Sequence, residues 1–292
     1  MADCEADSTH EPGTLAFRLE HYTDIGRDWV ISVYEDGRIL TPGVMPYELS
    51  TEAWMLVRRL TEGGVDSLLN EVEATGMFET SASYNPVPLP GVEPPGRGAS
   101  GFTITLGGED PVVVTWTSVF PDEPTYYQPS PEREALDELA AHLVDMDIWL
   151  ADDAWAWREP CPYRPTTFRV IVVNPQPWGG SLADLPADVA DVEWPPGGDI
   201  LTWADPFDEA GSDPAVDGRC GTLPRADAEG LVTDLAAAGA EVSGSADDLD
   251  LVPLVQLRLG YRAETSVVDV LVRPLVPDES GCVGASLAPF GI

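Results

Sequence analysis

Trp29-Val30-Ile31-Ser32-Val33-Tyr34-Glu35-Asp36-Gly37-Arg38-Ile39-Leu40 is the stretch that decides the architecture. Its first six residues are mostly β-branched or aromatic, as in a strand packed on at least one face. Asp36-Gly37 suits a tight hairpin turn in which both central residues have positive φ, a conformation that Asp and Gly tolerate best. Ile39-Leu40 starts the return strand, and Thr41-Pro42-Gly43 ends it. A helix is predicted further on. Thr61 can cap its free N–H groups, and Leu60 and Val65 flank that cap as a hydrophobic staple. Val65, Leu68, Leu69 and Val72 recur at i, i+3, i+4 and i+7, which makes one face apolar. Gly76 supplies a left-handed stop, with Met77 folding back on Val72. Trp54, Leu56, Val57 and Leu60 predict a shorter helical turn just before, opened by Ser50 or Thr51.

Outward from this centre the same parts recur. Residues 1–13 read as a disordered acidic lead. Leu15, Phe17 and Leu19 alternate as a first strand. Ser81 to Ser100 reads as a long Pro/Gly loop. Phe102, Ile104 and Leu106, then Val112, Val114 and Trp116, form a second hairpin. Ser130 caps a helix with Pro131 at its first position, striped by Leu136, Leu139, Leu143 and Met146. After Cys161, Phe168, Val170 and Val172 form a strand, and Ile200 to Trp203 a short one. Asp205 to Gly218 reads as an acidic loop. Pro224 opens a helix lined by Leu231, Leu235 and Ala238 and ended by Gly239. Leu254 to Tyr261 and Ser266 to Pro274 pair as a last hairpin. The expected fold is α+β in two modules, 14–160 and 161–292. Each is an antiparallel sheet of hairpins covered on one face by one or two helices.

The 292 residues include 51 acidic and 15 basic side chains, for a net charge of −36, and every basic one is Arg. Codon bias in a high-GC genome with an acidic surface is one reading. Adaptation to salt, which screens self-repulsion, is a second, and mimicry of nucleic acid by carboxylates a third. All three argue against binding DNA, RNA or an anionic membrane surface. No apolar run approaches the ~20 residues of a membrane span. Met1-Ala2-Asp3-Cys4-Glu5-Ala6-Asp7 is polar from the start, unlike a signal peptide. Cys4 reads either as an ordinary cysteine or as the remnant of a lipid-anchored one whose leader is missing.

Cys4, Cys161, Cys220 and Cys282 form no C-x-x-C, so zinc and thioredoxin-type chemistry lack support. Among the three possible full pairings, Cys220–Cys282 is favoured, because each residue lies in a loop flanking a strand or helix of one domain. A disulfide implies export. Reduced buried thiols in a cytosolic protein are the alternative.

Val33-Tyr34-Glu35-Asp36-Gly37-Arg38, the helix Leu60 to Phe78, and the tail from Arg273-Pro274-Leu275-Val276-Pro277-Asp278-Glu279 to Cys282 resemble a loose group of uncharacterised secreted proteins and lipoproteins of high-GC bacteria. The resemblance implies export or surface attachment and carries no catalytic residue.

His10, His21 and His142 read as tail or surface histidines rather than bases. No G-x-S-x-G, H-E-x-x-H, phosphate loop or dinucleotide fingerprint occurs. Asp205, Asp208, Glu209, Asp213 and Asp217 form the densest acidic stretch. It is either a solvated loop, or hard oxygen ligands for calcium, or the source of a carboxylate pair for hydrolysis. Trp149, Trp155, Trp157, Trp178, Trp194 and Trp203 crowd the expected domain junction. Core packing accounts for most of them. If exposed, Trp155, Trp157, Trp178 and Trp194 would form a platform for a protein or carbohydrate partner. The reading is therefore an exported or surface-attached acidic protein with a non-catalytic binding or structural role and no cofactor. The alternative is a hydrolase or calcium binder using the 205–217 carboxylates.

Overall fold

The computed structural model describes residues 13–23, 26–42, 55–93, 100–118, 126–194, 197–208, 217–250, 254–279 and 281–282. They fall into two compact units that divide after Cys161. The expected lead at 1–13 lies outside the described residues except for Gly13. Among the described residues are two sheets dominated by antiparallel pairing, of eight and six strands, and four helices. The chain is α+β.

The first unit contains β1 (Leu15–Thr23), β2 (Gly26–Tyr34), β3 (Arg38–Pro42), β4 (Met55–Leu60), α1 (Glu62–Ala74), β5 (Ala82–Tyr84), β6 (Gly101–Leu106), β7 (Val112–Thr117), α2 (Pro131–Val144), the short α3 (Met146–Trp149) and β8 (Trp155–Pro162). The sheet order is β5-β7-β6-β1-β2-β3-β4-β8. Alternation aims Phe17, Leu19, Ile31, Val33, Ile39, Ile104 and Trp116 at one face. There they meet Val65, Leu68 and Val72 of α1 and Leu136, Leu139 and Leu143 of α2 in one buried core. Val30, Tyr34, Leu40 and Val57 are buried as well, so the middle strands are shielded on both faces.

The decisive hairpin forms, with a different turn. Gly37 has φ +88°, while Asp36 does not enter the positive-φ region. Gly37 N–H donates to the Tyr34 carbonyl at 2.9 Å, and Val33 pairs with Ile39. This is a three-residue loop with a left-handed glycine, not a two-residue turn with two left-handed residues. The Asp36 carboxylate is free to accept from Arg38 N–H (3.0 Å) and Arg38 Nε (2.7 Å).

α1 starts as predicted. Thr61 Oγ1 accepts from Gly64 N–H at 3.1 Å, and Gly76 (φ +68°) follows its end. The short helical turn expected before it is instead β4, where Leu40 pairs with Val57 and Ile39 with Arg58. An isolated helix of that length does not offset its nucleation cost, whereas the strand is hydrogen-bonded between β3 and β8. Trp54, Ser50 and Thr51 lie outside the described residues. The expected Ser81 to Ser100 loop contains β5, which runs parallel to β7 through Ala82↔Val114 and Tyr84↔Trp116. Ser130 Oγ caps α2 at Arg133 N–H, with Pro131 in the first turn.

The second unit contains β9 (Thr167–Pro177), β10 (Asp205–Asp208), β11 (Asp217–Pro224), α4 (Arg225–Ala237), β12 (Glu241–Val242), β13 (Val255–Tyr261) and β14 (Ser266–Pro274). Its order is β10-β11-β9-β14-β13-β12. Phe168, Val170, Val172, Leu257, Leu259, Val268, Val270 and Val272 pack on Leu231, Val232 and Leu235 of α4. Ala238 is exposed, and Val232 takes the place expected of it. The long segment after β9 adds Val189, Trp194 and Ile200 to the same core. Ile200 to Trp203 is a turn, not the expected strand; the strand begins at Asp205. The expected acidic loop is thus bounded by two paired strands at its ends.

Candidate binding site

α1 starts against the 3-10 turn Asp152–Ala154. Thr61 N–H donates to the Ala154 carbonyl at 2.9 Å. Gly64 approaches that oxygen so closely that a Cβ would lie 2.2 Å from it. Beside this junction is a cavity of about 360 Å³, lined by Thr61, Gly63, Ser67, Trp149, Leu150, Ala151, Asp153 and Ala154. That is within the roughly 300–1,000 Å³ of small-molecule sites.

Among the described residues that line the cavity, Trp149 is the aromatic one. Its Nε1 donates to the His142 carbonyl at 2.6 Å, and the His142 ring stands 5.8 Å from the indole. His142 Nδ1 is in turn 3.2 Å from Glu71 Oε1. The hydroxyls of Ser67 and Thr61 donate inward, to Gly63 O at 2.8 Å and Ala154 O at 3.2 Å. Their remaining lone pairs and the exposed Asp153 carboxylate make an acceptor-rich rim. Trp149 beside these acceptors suits a ligand with an apolar flank and several hydroxyl donors.

The tryptophans named from the sequence are distributed differently. Trp155 is buried, with the Arg58 and Arg158 guanidinium groups 5.1 and 5.9 Å from its ring, and Trp157 is half-buried. Both belong to the first unit. In the second, Trp194 is buried and meets Trp203 edge-on at 5.5 Å. Trp178 is half-buried, with the Arg258 guanidinium 5.9 Å from its ring centre. Trp149 lines the cavity, and its spacing from Thr61 and Ser67 offered no signal.

Asp205 and Asp208 are on β10 and Asp217 on β11, where Asp208 pairs with Asp217 and Asp205 with Cys220. Glu209 and Asp213 lie outside the described residues, as do His10 and Cys4. Among the described residues no group of three or more His, Cys, Asp or Glu side chains could hold a metal ion.

The expected Cys220–Cys282 disulfide is present, closing a separation of 62 residues. Cys161 is also disulfide-bonded. Near Cys282, Arg169 and Arg273 face each other across β9 and β14; they are 1% and 3% exposed. Glu279 serves both. Arg273 donates to it bidentately at 2.7 and 2.8 Å, and Arg169 Nη1 is 3.7 Å away. Burial pushes the Glu279 carboxyl up, but the Arg273 hydrogen bond and the charges of Arg273 and Arg169 outweigh it and leave its pKa lowered. Burial and the neighbouring Arg273 charge lower Arg169 to about 10, so it stays cationic at neutral pH. Sequence reading missed this cluster: strand register sets Arg169 beside Arg273, and a turn from Val276 to Glu279 returns the carboxylate to both.

The sequence matches no known protein-family model and no curated protein.

Proposed function

We propose that this protein works outside the cytoplasm, secreted or held at the cell surface, as a non-catalytic binding protein. The ligand class is a carbohydrate or similar polyol, taken up in the cavity beside α1. The observation that carries this reading is that Trp149, Asp153, Ser67 and Thr61 line one space of about 360 Å³. A sugar presents an apolar C–H face to an indole and hydroxyl donors to such a rim. The Cys220–Cys282 disulfide supports export.

Isothermal titration calorimetry against a panel of oligosaccharides tests the ligand. Gly63→Val fills the cavity from a position whose added Cβ meets nothing within 4 Å. Saturable binding to the wild type that Gly63→Val abolishes is the expected result. Binding unchanged in Gly63→Val would remove the cavity from the reading. Alkylation of the unreduced native protein tests the compartment, and four free thiols would end the export argument.

A further inference from the structure

Three contacts bind the chain after β14 to the face of the second sheet opposite α4. Glu279 joins Arg273, the Gly281 carbonyl accepts from Arg169 Nε at 2.7 Å, and Cys282 joins Cys220. They occupy one patch. Arg169 and Ile171 are two positions apart on β9 and therefore share a face, and Ile171 is the register partner of both Cys220 and Leu271. Ile171, Val173, Cys220 and Leu271 form a small buried cluster with Cys282 against it.

We infer that Arg169 and Arg273 form a seat that selects the disulfide: it captures Glu279 and the Gly281 carbonyl before oxidation and so sets Cys282 over Cys220. The seat belongs to β9 and β14 alone, so it exists as soon as these strands pair. It is also incomplete alone: two guanidinium groups lie close together on a sheet face, and among the described residues the carboxylate in contact with them is Glu279, from outside the sheet. Glu279 supplies that charge, and the Gly281 carbonyl fills the Arg169 fork. The tether is short, because Leu275 N–H is bonded to the Thr167 carbonyl and the Leu275 carbonyl to Tyr163 Oη. A thiol on so short a tether reaches an effective concentration in the millimolar range.

The chemistry needs a disulfide oxidant such as oxidised glutathione. One cysteine thiolate attacks it, forming a mixed disulfide and releasing one glutathione thiolate. The second cysteine thiolate then attacks the protein sulfur and releases the other. Two protein thiols are oxidised and one glutathione disulfide is reduced. Pairing is decided in the second step, by which thiol is held nearest.

The test starts from reduced full-length chain unfolded in denaturant, diluted into a glutathione redox buffer and quenched by alkylation at intervals. Peptide mass mapping then reads the partners of Cys220 and Cys282. Glu279→Gln keeps the side chain's size and removes its charge. A charge-assisted bidentate contact of this kind corresponds to about a tenfold change in local population. The expected result is Cys220–Cys282 formation slowed by about that factor, with Cys282 or Cys220 persisting as its glutathione mixed disulfide, while the disulfide holding Cys161 forms at its wild-type rate. Wild-type rate and pairing in Glu279→Gln would overturn the inference. Equal slowing of both disulfides would also overturn it, since that marks a general folding defect rather than a selecting seat.

Discussion

Gly37 and Gly63 show how the surroundings of one residue set the sign of a substitution. Gly37 has φ +88°, and a Cβ there would lie 2.3 Å from the Leu60 carbonyl oxygen. Gly37→Ala is expected to cost about 2–4 kcal/mol, from strain plus disruption of the Leu60 N–H to Gly37 carbonyl bond. Gly63 is helical with open space around it, so Gly63→Ala is expected to stabilise by about 0.5–1 kcal/mol. Urea midpoints of the two variants should move in opposite directions. Glu279 gives a pH prediction. Its folded pKa is lowered, so its contribution is complete above the unfolded-state pKa and is lost as pH falls through the folded one. Glu279→Gln should cost about 3 kcal/mol at neutral pH, because it leaves two buried cations without their carboxylate. It should also flatten the acid side of the stability–pH curve. An acid arm as steep as that of the wild type would show that other carboxylates dominate.

Among the elements, α1 was the most legible. Its cap, staple and apolar face are local in sequence, and the structure reproduces them. Thr61→Ala removes the Gly64 cap and the hydroxyl contacts to the 3-10 turn. It should cost about 1–2 kcal/mol by thermal denaturation. β4 was illegible for a matching reason. Leu56, Val57 and Leu60 fit helical spacing as well as Met55 and Val57 fit alternation, and neighbouring strands break the tie. β5 was hidden in the same way: Ala82-Ser83-Tyr84 lacks a strand's composition, and its hydrogen bonds come from β7.

For the whole molecule, charge and covalent closure lead to separate measurements. A net charge of −36 repels itself in the compact state. Raising NaCl from about 0.05 to 1 M shortens the screening length from above 10 Å to roughly 3 Å. Tm should rise over that range, and a flat response would show that the acids are spaced too widely to matter. Cys220 and Cys282 close 62 residues. Cys220→Ser with Cys282→Ser should therefore destabilise the second unit by about 4 kcal/mol in the chain-entropy picture. The shift should appear in calorimetry as one lowered transition.

The α+β class, the capped helices, the hairpins and the Cys220–Cys282 pairing were readable from the residues alone. Turn glycines, helix caps and apolar periodicity act over a few neighbours, and an even, small number of cysteines leaves few pairings. The turn type at Gly37, the strand identity of β4 and β5, the cavity beside Trp149 and the Arg169–Arg273–Glu279 seat were decided only in three dimensions. Each depends on which segment packs opposite and supplies the hydrogen bond, wall or charge, and local sequence pattern does not encode that partner.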